Sequence, residues 1–423
     1  MLAEFRVSNY RSFKDEQVLS LIATSEESKG SNSIDIGGHS ILKSAVIYGA
    51  NASGKSNLIR AMACMNSIVK DSAGFKPNDS LPVVPFAFDR KTKEQPSTFE
   101  VTFFMEGIRY QYGFSVTTQQ ITKEWLLSWP KGKTQTWFER DVEQSAPYFG
   151  PSLKGQNKTI WEKVRGNSLF LSTAAQWNHP QLSNVYQWFE DKFRELPSKI
   201  IATQITDIML FAIKDSKGPT GSYDIAINML RNADFGIDDI EIEEVNADTM
   251  KLPDDLPDDV KEDFIKRISE HPLYRKTFLH GKEKYPLPLN QESEGTQRFY
   301  SFLGPLLLST ERGYTIFEDE LELNMHPLLT RKLIESFREL EDDQNFAQLI
   351  FTTHDTTLLD PELFGRDQVW FTEKDKHGAT QLYSLADYKD VRKGEPMQKR
   401  YLSGRYGAIP ILERFNLVGA KKQ

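Results

Sequence analysis

The spacing of apolar residues predicts two stretches in which strands and helices alternate. Residues 2–8 alternate apolar and polar side chains and residues 45–49 form a short apolar run, so both are predicted strands. Beyond residue 56 the apolar positions recur at helical spacing. From residue 296 helical patterns again alternate with apolar strands, an arrangement typical of a parallel sheet covered on both faces.

The stretch between them follows other patterns. Residues 83–129 alternate aromatic or β-branched residues with polar ones, in runs separated by turn residues, which predicts an antiparallel meander. Residues 130–290 are less regular: a helical pattern at 184–196 and a strand pattern at 237–245 stand out, and we expect a mainly helical insertion. The acidic run at 251–264 predicts a solvated loop that leads into a helix.

The composition narrows the possible classes of protein. The 423 residues include 52 Lys and Arg against 60 Asp and Glu, and the formal charge of −8 excludes a globally basic nucleic-acid binder. No apolar run approaches the length of a membrane span, and Glu4, Arg6 and Arg11 place charges where a secretory signal is apolar. We therefore expect a cytoplasmic protein with no membrane partner. The single cysteine, Cys64, excludes an internal disulfide and is a predicted core residue.

Residues 49–56 carry the first candidate chemistry, because they match the phosphate-binding pattern GxxxxGKS between a predicted strand and a predicted helix. Glycine lets backbone N–H groups surround phosphate, Lys55 adds positive charge near the β and γ phosphates, and Ser56 can ligate Mg²⁺. The sequence thus predicts a nucleotide site. Its candidate binding residues are Gly49, Asn51, Ser53, Gly54, Lys55, Ser56 and Asn57.

The second candidate is a pair of adjacent carboxylates, Asp319 and Glu320, at the end of an apolar strand pattern. Two neighbouring carboxylates repel each other unless a cation lies close by. In a protein that also carries a phosphate-binding loop, Asp319 is predicted to hold Mg²⁺ and Glu320 to polarise the attacking water.

Two further positions are candidates because of where they stand in the pattern. Ser293 precedes an apolar helix, and a helix N-terminus next to Gly295 can bind an anion, although a simple helix cap is the alternative interpretation. His354 ends a predicted apolar strand, where a histidine is usually a packed core residue. With a phosphate site expected at the same edge of the sheet, phosphate sensing by His354 is the favoured interpretation.

The order of these motifs resembles the ABC-type ATPases of the SMC and RecF group, which are AAA-family ATPases. Within that group it is similar to the OLD-like and RloA-like ATPases of bacterial phage defence. The blocks that carry the resemblance are SNYRSF (8–13), GANASGKSN (49–57), PFAFD (85–89), ESEGTQR (292–298), FEDELELNMHP (317–327), QLIFTTHDTTLLD (348–360), RDQVWFTEKD (366–375) and YLSGRYGAIP (401–410).

The resemblance implies that two ATPase heads hold ATP between them. Ser293 and Gly295 would contact the γ-phosphate of a second copy, so that a homodimer or higher oligomer forms around ATP. Residues 323–326 would form the loop that crosses the dimer interface, His354 would be the switch histidine, and Arg11 would lie near the nucleotide. The implied catalytic residues are Lys55, Glu320 and His354, and the implied Mg²⁺ ligands are Ser56 and Asp319.

The sequence also departs from the family pattern. No glutamine can be assigned to the loop that links Mg²⁺ to the second lobe in ABC ATPases, and no heptad run is long enough for SMC arms. The acids of a Toprim nuclease are not found after Glu373 and Asp375, so an effector nuclease is expected to be encoded separately.

These features predict an α/β fold: an ABC-type P-loop ATPase head with a mostly parallel core sheet, an antiparallel β meander and a helical insertion. The predicted segments are a first ATPase lobe (1–129), the insertion (130–290), a second ATPase lobe (291–385) and a basic C-terminal segment (386–423). Within the last, residues 388–405 carry six basic and two acidic side chains, which suits either DNA, a phage component or another acidic partner, or a solvated basic face.

The expected function is Mg²⁺-dependent ATP hydrolysis that controls a separate nuclease effector in antiphage defence. One alternative is a DNA repair or recombination ATPase that acts directly on DNA, which would bind DNA with a steep salt dependence. Another is a nucleotide-gated assembly scaffold with slow turnover.

Overall fold

The computed structural model of the protein describes residues 1–24, 32–215, 221–245, 273–339, 346–389 and 396–411. The acidic run predicted at 251–264 and residues 390–395 of the basic segment lie outside this part. The chain divides into two compact units. Unit 1 comprises residues 1–195, 315–321 and 348–423, and unit 2 comprises residues 196–314 and 322–347.

The described elements are numbered in chain order. The strands are β1 (Leu2–Ser8), β2 (Gln17–Ser20), β3 (Ser33–Ile36), β4 (His39–Leu42), β5 (Ser44–Gly49), β6 (Ser97–Met105), β7 (Ile108–Val116), β8 (Ile121–Trp129), β9 (Gln135–Asp141), β10 (Tyr148–Phe149), β11 (Phe193–Glu195), β12 (Ile237–Glu244), β13 (Tyr274–His280), β14 (Tyr285–Pro288), β15 (Thr315–Glu318), β16 (Gln348–Thr352), β17 (Val369–Lys374) and β18 (Thr380–Ser384). The α-helices are α1 (Lys55–Asp71), α2 (Arg90–Lys93), α3 (Asn157–Trp161), α4 (Phe170–Gln176), α5 (Leu182–Gln187), α6 (Lys199–Asp215), α7 (Gly221–Asn232), α8 (Glu294–Arg312), α9 (Pro327–Glu339) and α10 (Met397–Leu402).

The sheet that positions the site has six strands in the order β11-β15-β16-β5-β17-β18. Every neighbouring pair is parallel except β17 and β18. The carboxyl ends of its parallel strands therefore meet at one edge of the sheet. The mostly parallel core sheet predicted from the sequence is confirmed.

The predicted antiparallel meander is confirmed in β6 to β8, which belong to a seven-stranded antiparallel sheet of order β10-β9-β8-β7-β6-β1-β2. One hydrophobic cluster in unit 1 contains side chains of both sheets and of α1, among them Phe5, Ile47, Leu58 and Phe99. Cys64 is buried in this cluster, as predicted.

Residues 83–89, predicted as the first run of the meander, form no strand. Pro85 has no N–H to donate to a ladder. The Phe86 N–H instead donates to Asn9 Oδ1 at 3.1 Å, and the Val84 carbonyl accepts from the Arg11 N–H at 2.7 Å. The segment is thus fixed to the turn after β1. Its apolar residues alternate as they would in a strand, so the sequence pattern alone cannot separate the two arrangements.

The helix predicted over 184–196 ends early. The α-helix stops at Gln187, residues 188–192 form a wider π-helical turn, and Phe193–Glu195 form strand β11. This strand is favoured because its backbone pairs with β15 and the Phe193 ring packs on the Phe317 ring, with the ring centroids 4.9 Å apart. A local helical pattern is overridden here by tertiary pairing.

In unit 2, α6 packs along α8, and the sheet β12-β13-β14 is antiparallel. A Cβ built on Gly304 of α8 would lie 2.6 Å from Thr206 Cα, so only glycine permits this close approach of the helices. The boundaries of the compact units differ from those of the predicted segments, because residues 130–195 belong to unit 1. The described part of the predicted insertion, 130–290, contains strands as well as helices. Among the described helices, none combines the length and apolarity that crossing a membrane requires.

Candidate functional site

The phosphate-binding loop connects β5 to α1 and is packed tightly against β17 and β18. A Cβ built on Gly49 would lie 2.5 Å from the Thr372 carbonyl oxygen, and a Cβ on Gly54 would collide with the Thr380 side chain. Gly54 also has a φ of +119°, which disfavours any residue with a side chain. Both positions therefore require glycine, and the loop backbone has one shape that the sheet fixes.

Hydroxyl groups of the same two strands also hold the loop by hydrogen bonds. Ser53 Oγ lies 2.6 Å from Thr372 Oγ1, and Thr380 Oγ1 lies 2.8 Å from the Ser53 carbonyl and 2.8 Å from Ser12 Oγ. Asn57 Nδ2 donates to Ser12 Oγ at 2.8 Å. The turn after β1 is thus tied to the loop and to α1, which a sequence pattern alone does not show.

Lys55, the first residue of α1, is buried, and its Nζ donates to the Gly49 and Ala50 carbonyls at 2.8 and 3.1 Å. Its ammonium group therefore lies over the loop. Asn51 is exposed, whereas Ser56 is partly exposed in the first helical turn, where N–H groups and the helix dipole favour anions.

Arg11 is exposed in the turn after β1, next to Ser12 of the hydroxyl network. Its φ is +51°, and its Nε donates to Tyr10 Oη at 3.2 Å. The structure therefore places Arg11 one residue from groups that hold the phosphate-binding loop.

The acidic pair directly follows β15, and Thr352 at the end of β16 orients the Asp319 carboxylate and holds the backbone of Glu320. Thr352 Oγ1 donates to Asp319 Oδ1 at 2.6 Å and accepts from the Glu320 N–H at 2.8 Å. Glu320 has a φ of +53°, a conformation that few residues with side chains adopt. His354 Nε2 lies 3.8 Å from Glu320 Oε1, too long for a hydrogen bond, and both side chains are more than two-fifths exposed.

Glu195 is a further acid at this edge that the sequence did not indicate. It ends β11, the strand paired with β15, and its register partner is Phe317, two residues before Asp319. Partial burial and the nearby Asp319 carboxylate raise the pKa of Glu195. Since this proximity exists only because β11 pairs with β15, no local pattern around Glu195 could have revealed it.

The residues predicted to contact the γ-phosphate of a second copy, Ser293 and Gly295, lie in unit 2. Ser293 is the N-cap of α8, as predicted, and its exposed Oγ accepts from the Thr296 N–H at 3.1 Å. A Cβ on Gly295 would lie 2.8 Å from the Asn324 carbonyl, so the loop 323–326 lies close against the start of the helix. These residues also line a cavity of about 650 Å³ within unit 2.

Unit 1 thus holds the phosphate-binding loop, Arg11, Asp319, Glu320 and His354, and unit 2 holds Ser293 and Gly295. The residues that sequence reasoning missed are Ser12, Glu195, Thr352, Thr372 and Thr380. The one available signal was hydroxyl residues at the end of an apolar strand, as in FTTH (351–354).

The groups at the sheet edge suit a magnesium-bound triphosphate. Mg²⁺ is usually held by one or two protein oxygens together with phosphates and water. Ser56 offers a hydroxyl and Asp319 a carboxylate whose orientation Thr352 fixes. The crowded glycines and the Lys55 ammonium fit a phosphate chain that approaches the loop backbone closely.

Comparison with known proteins gives one family. The sequence model of the family described as "AAA domain, putative AbiEii toxin, Type IV TA system" matches residues 44–360, which is most of the chain. No curated protein matches the chain.

Solved structures that match include three SMC heads. One is an SmcHead bound to the C-winged helix domain of ScpA (10% identity, TM-score 0.44, covering 90% of this chain and 97% of that chain). Another is the SMC head domain from Thermotoga maritima (11%, 0.41, 90% and 98%). The third is an Smc head domain with an extended coiled coil bound to the C-terminal domain of ScpA, from Pyrococcus furiosus (9%, 0.40, 90% and 96%). Identities and TM-scores this low say nothing about activity or partners.

Proposed function

The chain belongs to this family of AAA domains, and from that premise we propose that it is a Mg²⁺-dependent ATPase that self-associates around ATP and controls a separate effector. The observation that carries the proposal is the shared sheet edge: a phosphate-binding loop of fixed shape follows β5, and two acids that contact Thr352 follow β15 of the same sheet.

In the proposed binding step, the loop N–H groups and Lys55 hold the triphosphate. The Lys55 ammonium exchanges the loop carbonyls that it now contacts for phosphate oxygens. Ser56 and Asp319 hold Mg²⁺, which neutralises charge on the phosphates. Because Thr352 already fixes Asp319, little reorganisation is needed when the ion binds.

In the proposed hydrolysis step, Glu320 orients the attacking water and His354 contacts the phosphate that is released. The 3.8 Å between His354 Nε2 and Glu320 Oε1 is too long for a direct hydrogen bond, yet both groups face solvent, so one water can contact both. Glu195 lies beside this acidic pair, where partial burial and the Asp319 carboxylate raise its pKa.

Self-association is proposed from the start of α8. Ser293 and Gly295 present an exposed helix N-terminus, which can bind phosphate oxygens, and in the ATPases that this chain resembles such a loop completes the site of a second copy. Control of a separate nuclease in antiphage defence is supported by that resemblance. The family description, which names a toxin of a toxin–antitoxin system, agrees with a defence role.

The test compares mass in solution and phosphate release for wild type, Lys55→Ala and Glu320→Gln, with and without ATP and Mg²⁺. We expect wild type to release phosphate, Lys55→Ala to bind no ATP, and Glu320→Gln to bind ATP and remain in a larger ATP-dependent assembly. Lys70→Ala, an exposed lysine on the same helix, is the matched control. One mass for all samples, regardless of nucleotide, would contradict assembly around ATP.

A further inference from the structure

Phe88 is an exposed aromatic residue that no step above uses. It lies in the segment 85–89, and 74% of its surface is exposed. Single exposed apolar residues are common on protein surfaces, so exposure alone has no meaning. Phe88 differs from a single exposed residue because its ring contacts Phe86 and Gly378, and because Gly378 belongs to a hairpin that contacts the phosphate-binding loop.

The ring is held from two sides. Phe86, which is buried, contacts it edge to face with the ring centroids 5.7 Å apart. On the other side a Cβ built on Gly378 would lie 2.9 Å from the Phe88 ring, and the φ of Gly378 is +80°, so the tip between β17 and β18 fits against the ring only with glycine.

The residue that follows Phe88 fixes the backbone. Asp89 Oδ1 accepts from the Lys91 N–H at 2.9 Å and so caps α2, while Asp89 Oδ2 pairs with Lys14 Nζ at 2.9 Å. The tip of the β17–β18 hairpin is fixed as well, because Asp375 Oδ1 accepts from the N–H groups of His377 and Ala379 at 2.8 and 2.9 Å. The exposed ring is therefore preorganised, and binding to it costs little ordering.

The hairpin that contacts the ring is the one that contacts the phosphate-binding loop. Gly378 lies against Phe88, and Thr380 lies against Gly54 and 2.8 Å from the Ser53 carbonyl. Two residues of chain span at most about 7 Å. Phe88 and the phosphate-binding loop thus contact neighbouring positions of one hairpin, a separation that a nucleotide held by its phosphates can span.

We infer that Phe88 stacks on the base of the bound nucleotide and so makes this site prefer nucleoside triphosphates over phosphate chains that have no base. The inference rests on the proposed binding of ATP. An aromatic face binds any base through its π-face, with greater contact for purines than for pyrimidines. The site thus separates two tasks: the loop and Lys55 bind phosphate, and Phe88 contributes affinity for the base.

The test measures equilibrium binding of ATP and of inorganic tripolyphosphate, which shares the phosphates but has no base. We expect Phe88→Ala to weaken ATP binding about tenfold, as for other base-stacking aromatics, and to leave tripolyphosphate binding unchanged. Phe88→Tyr keeps the ring and should bind ATP like wild type. Trp177→Ala removes another exposed aromatic of unit 1 and should change neither ligand.

A second readout is Phe88→Trp, whose added fluorescence relative to wild type should change with ATP and not with tripolyphosphate. Equal ATP affinity in wild type and Phe88→Ala would overturn the stacking inference while the proposed ATPase stands. Equal losses for both ligands in Phe88→Ala would also overturn it, since the effect would then be on the loop. If wild type binds no ATP, the proposed function itself fails.

Discussion

The two glycine-containing loops, residues 49–56 in unit 1 and 293–295 in unit 2, both lead into a long helix, yet they are built differently. The first is enclosed by side chains of β17 and β18, carries an ammonium group, and belongs to a sheet edge with three acids. The second is an exposed helix start whose serine caps its own helix and whose glycine contacts one carbonyl, that of Asn324.

The comparison teaches what a helix N-terminus needs in order to become a reactive site. Both loops can offer N–H groups to an anion. Only the first adds a fixed loop shape and a cation, and lies at a sheet edge that carries carboxylates, so we expect it to hold a phosphate chain without a second loop. The second offers one patch of positive potential, and the physical expectation is that it acts by completing a site built elsewhere.

The largest effect is expected for Gly54→Ala. The alanine would collide with Thr380 and adopt a left-handed φ, so the loop would relax to another shape, and restoring the shape that binds phosphate would cost about 3 kcal/mol, which weakens ATP binding about 150-fold. Binding is measured by calorimetry. Gly166→Ala is the control, since no neighbouring atom lies within 4 Å of a Cβ there. Unchanged ATP affinity would mean that the fixed loop shape is not what distinguishes unit 1.

Some residues of this site could be predicted from the sequence, and others could not. The loop 49–56 and the pair Asp319 and Glu320 were recognisable because their chemistry depends on neighbours in sequence after a strand. Thr352 and Glu195 were not, because each acts through a residue that only strand pairing brings close. A mostly parallel core sheet and an antiparallel meander were predictable from helix and strand periodicity, whereas the strand order was not. Residues 83–89 show the same alternation as a strand, but their backbone hydrogen bonds go to the turn after β1.

The next effect tests whether the loop of unit 2 contacts phosphate. Asp and Asn are equally good N-caps and nearly equal in size, so Ser293→Asp and Ser293→Asn should both preserve the helix. The added charge of Asp would repel a phosphate, and turnover and ATP-dependent assembly should fall about tenfold or more relative to Asn. Phosphate release and mass in solution measure this. Equal behaviour of the two variants would reduce Ser293 to a structural cap.

A smaller effect is expected for Thr352→Val, which removes the hydroxyl between Asp319 and the Glu320 N–H while keeping the shape of the side chain. A hydrogen bond to a charged group is worth about 1.5 kcal/mol at the lower end, so turnover should fall about tenfold and require more Mg²⁺. Thr352→Ser restores the hydroxyl and should recover most of the rate. The measurement is phosphate release as a function of Mg²⁺ concentration. An unaltered Mg²⁺ requirement would show that Thr352 does not orient the metal ligand.

The smallest effect concerns a helix start that is capped and buried, in contrast to Ser293. His179 Nδ1 accepts from the N–H groups of Gln181 and Leu182 at 3.3 and 3.1 Å, just before α5, and Nε2 lies 2.8 Å from Asn157 Oδ1. Nδ1 must therefore stay unprotonated, and burial lowers the pKa of His179. The stabilisation is present above the unfolded pKa near 6.5 and is lost as pH falls through the lower folded value.

His179→Asn should change how the stability of the protein depends on pH without changing ATP turnover. The loss of a helix-capping acceptor costs about 1 kcal/mol, so wild type should lose stability between pH 7 and pH 5 by about that amount more than His179→Asn, whose amide oxygen can accept at either pH. Denaturation midpoints at the two pH values measure the difference. Turnover at pH 7.5 should be equal in both proteins, because His179 contacts no group at the sheet edge in the described structure. A loss of turnover without a change in stability would mean that a buried cap, too, serves the reaction, and the distinction drawn between the two kinds of helix start would fail.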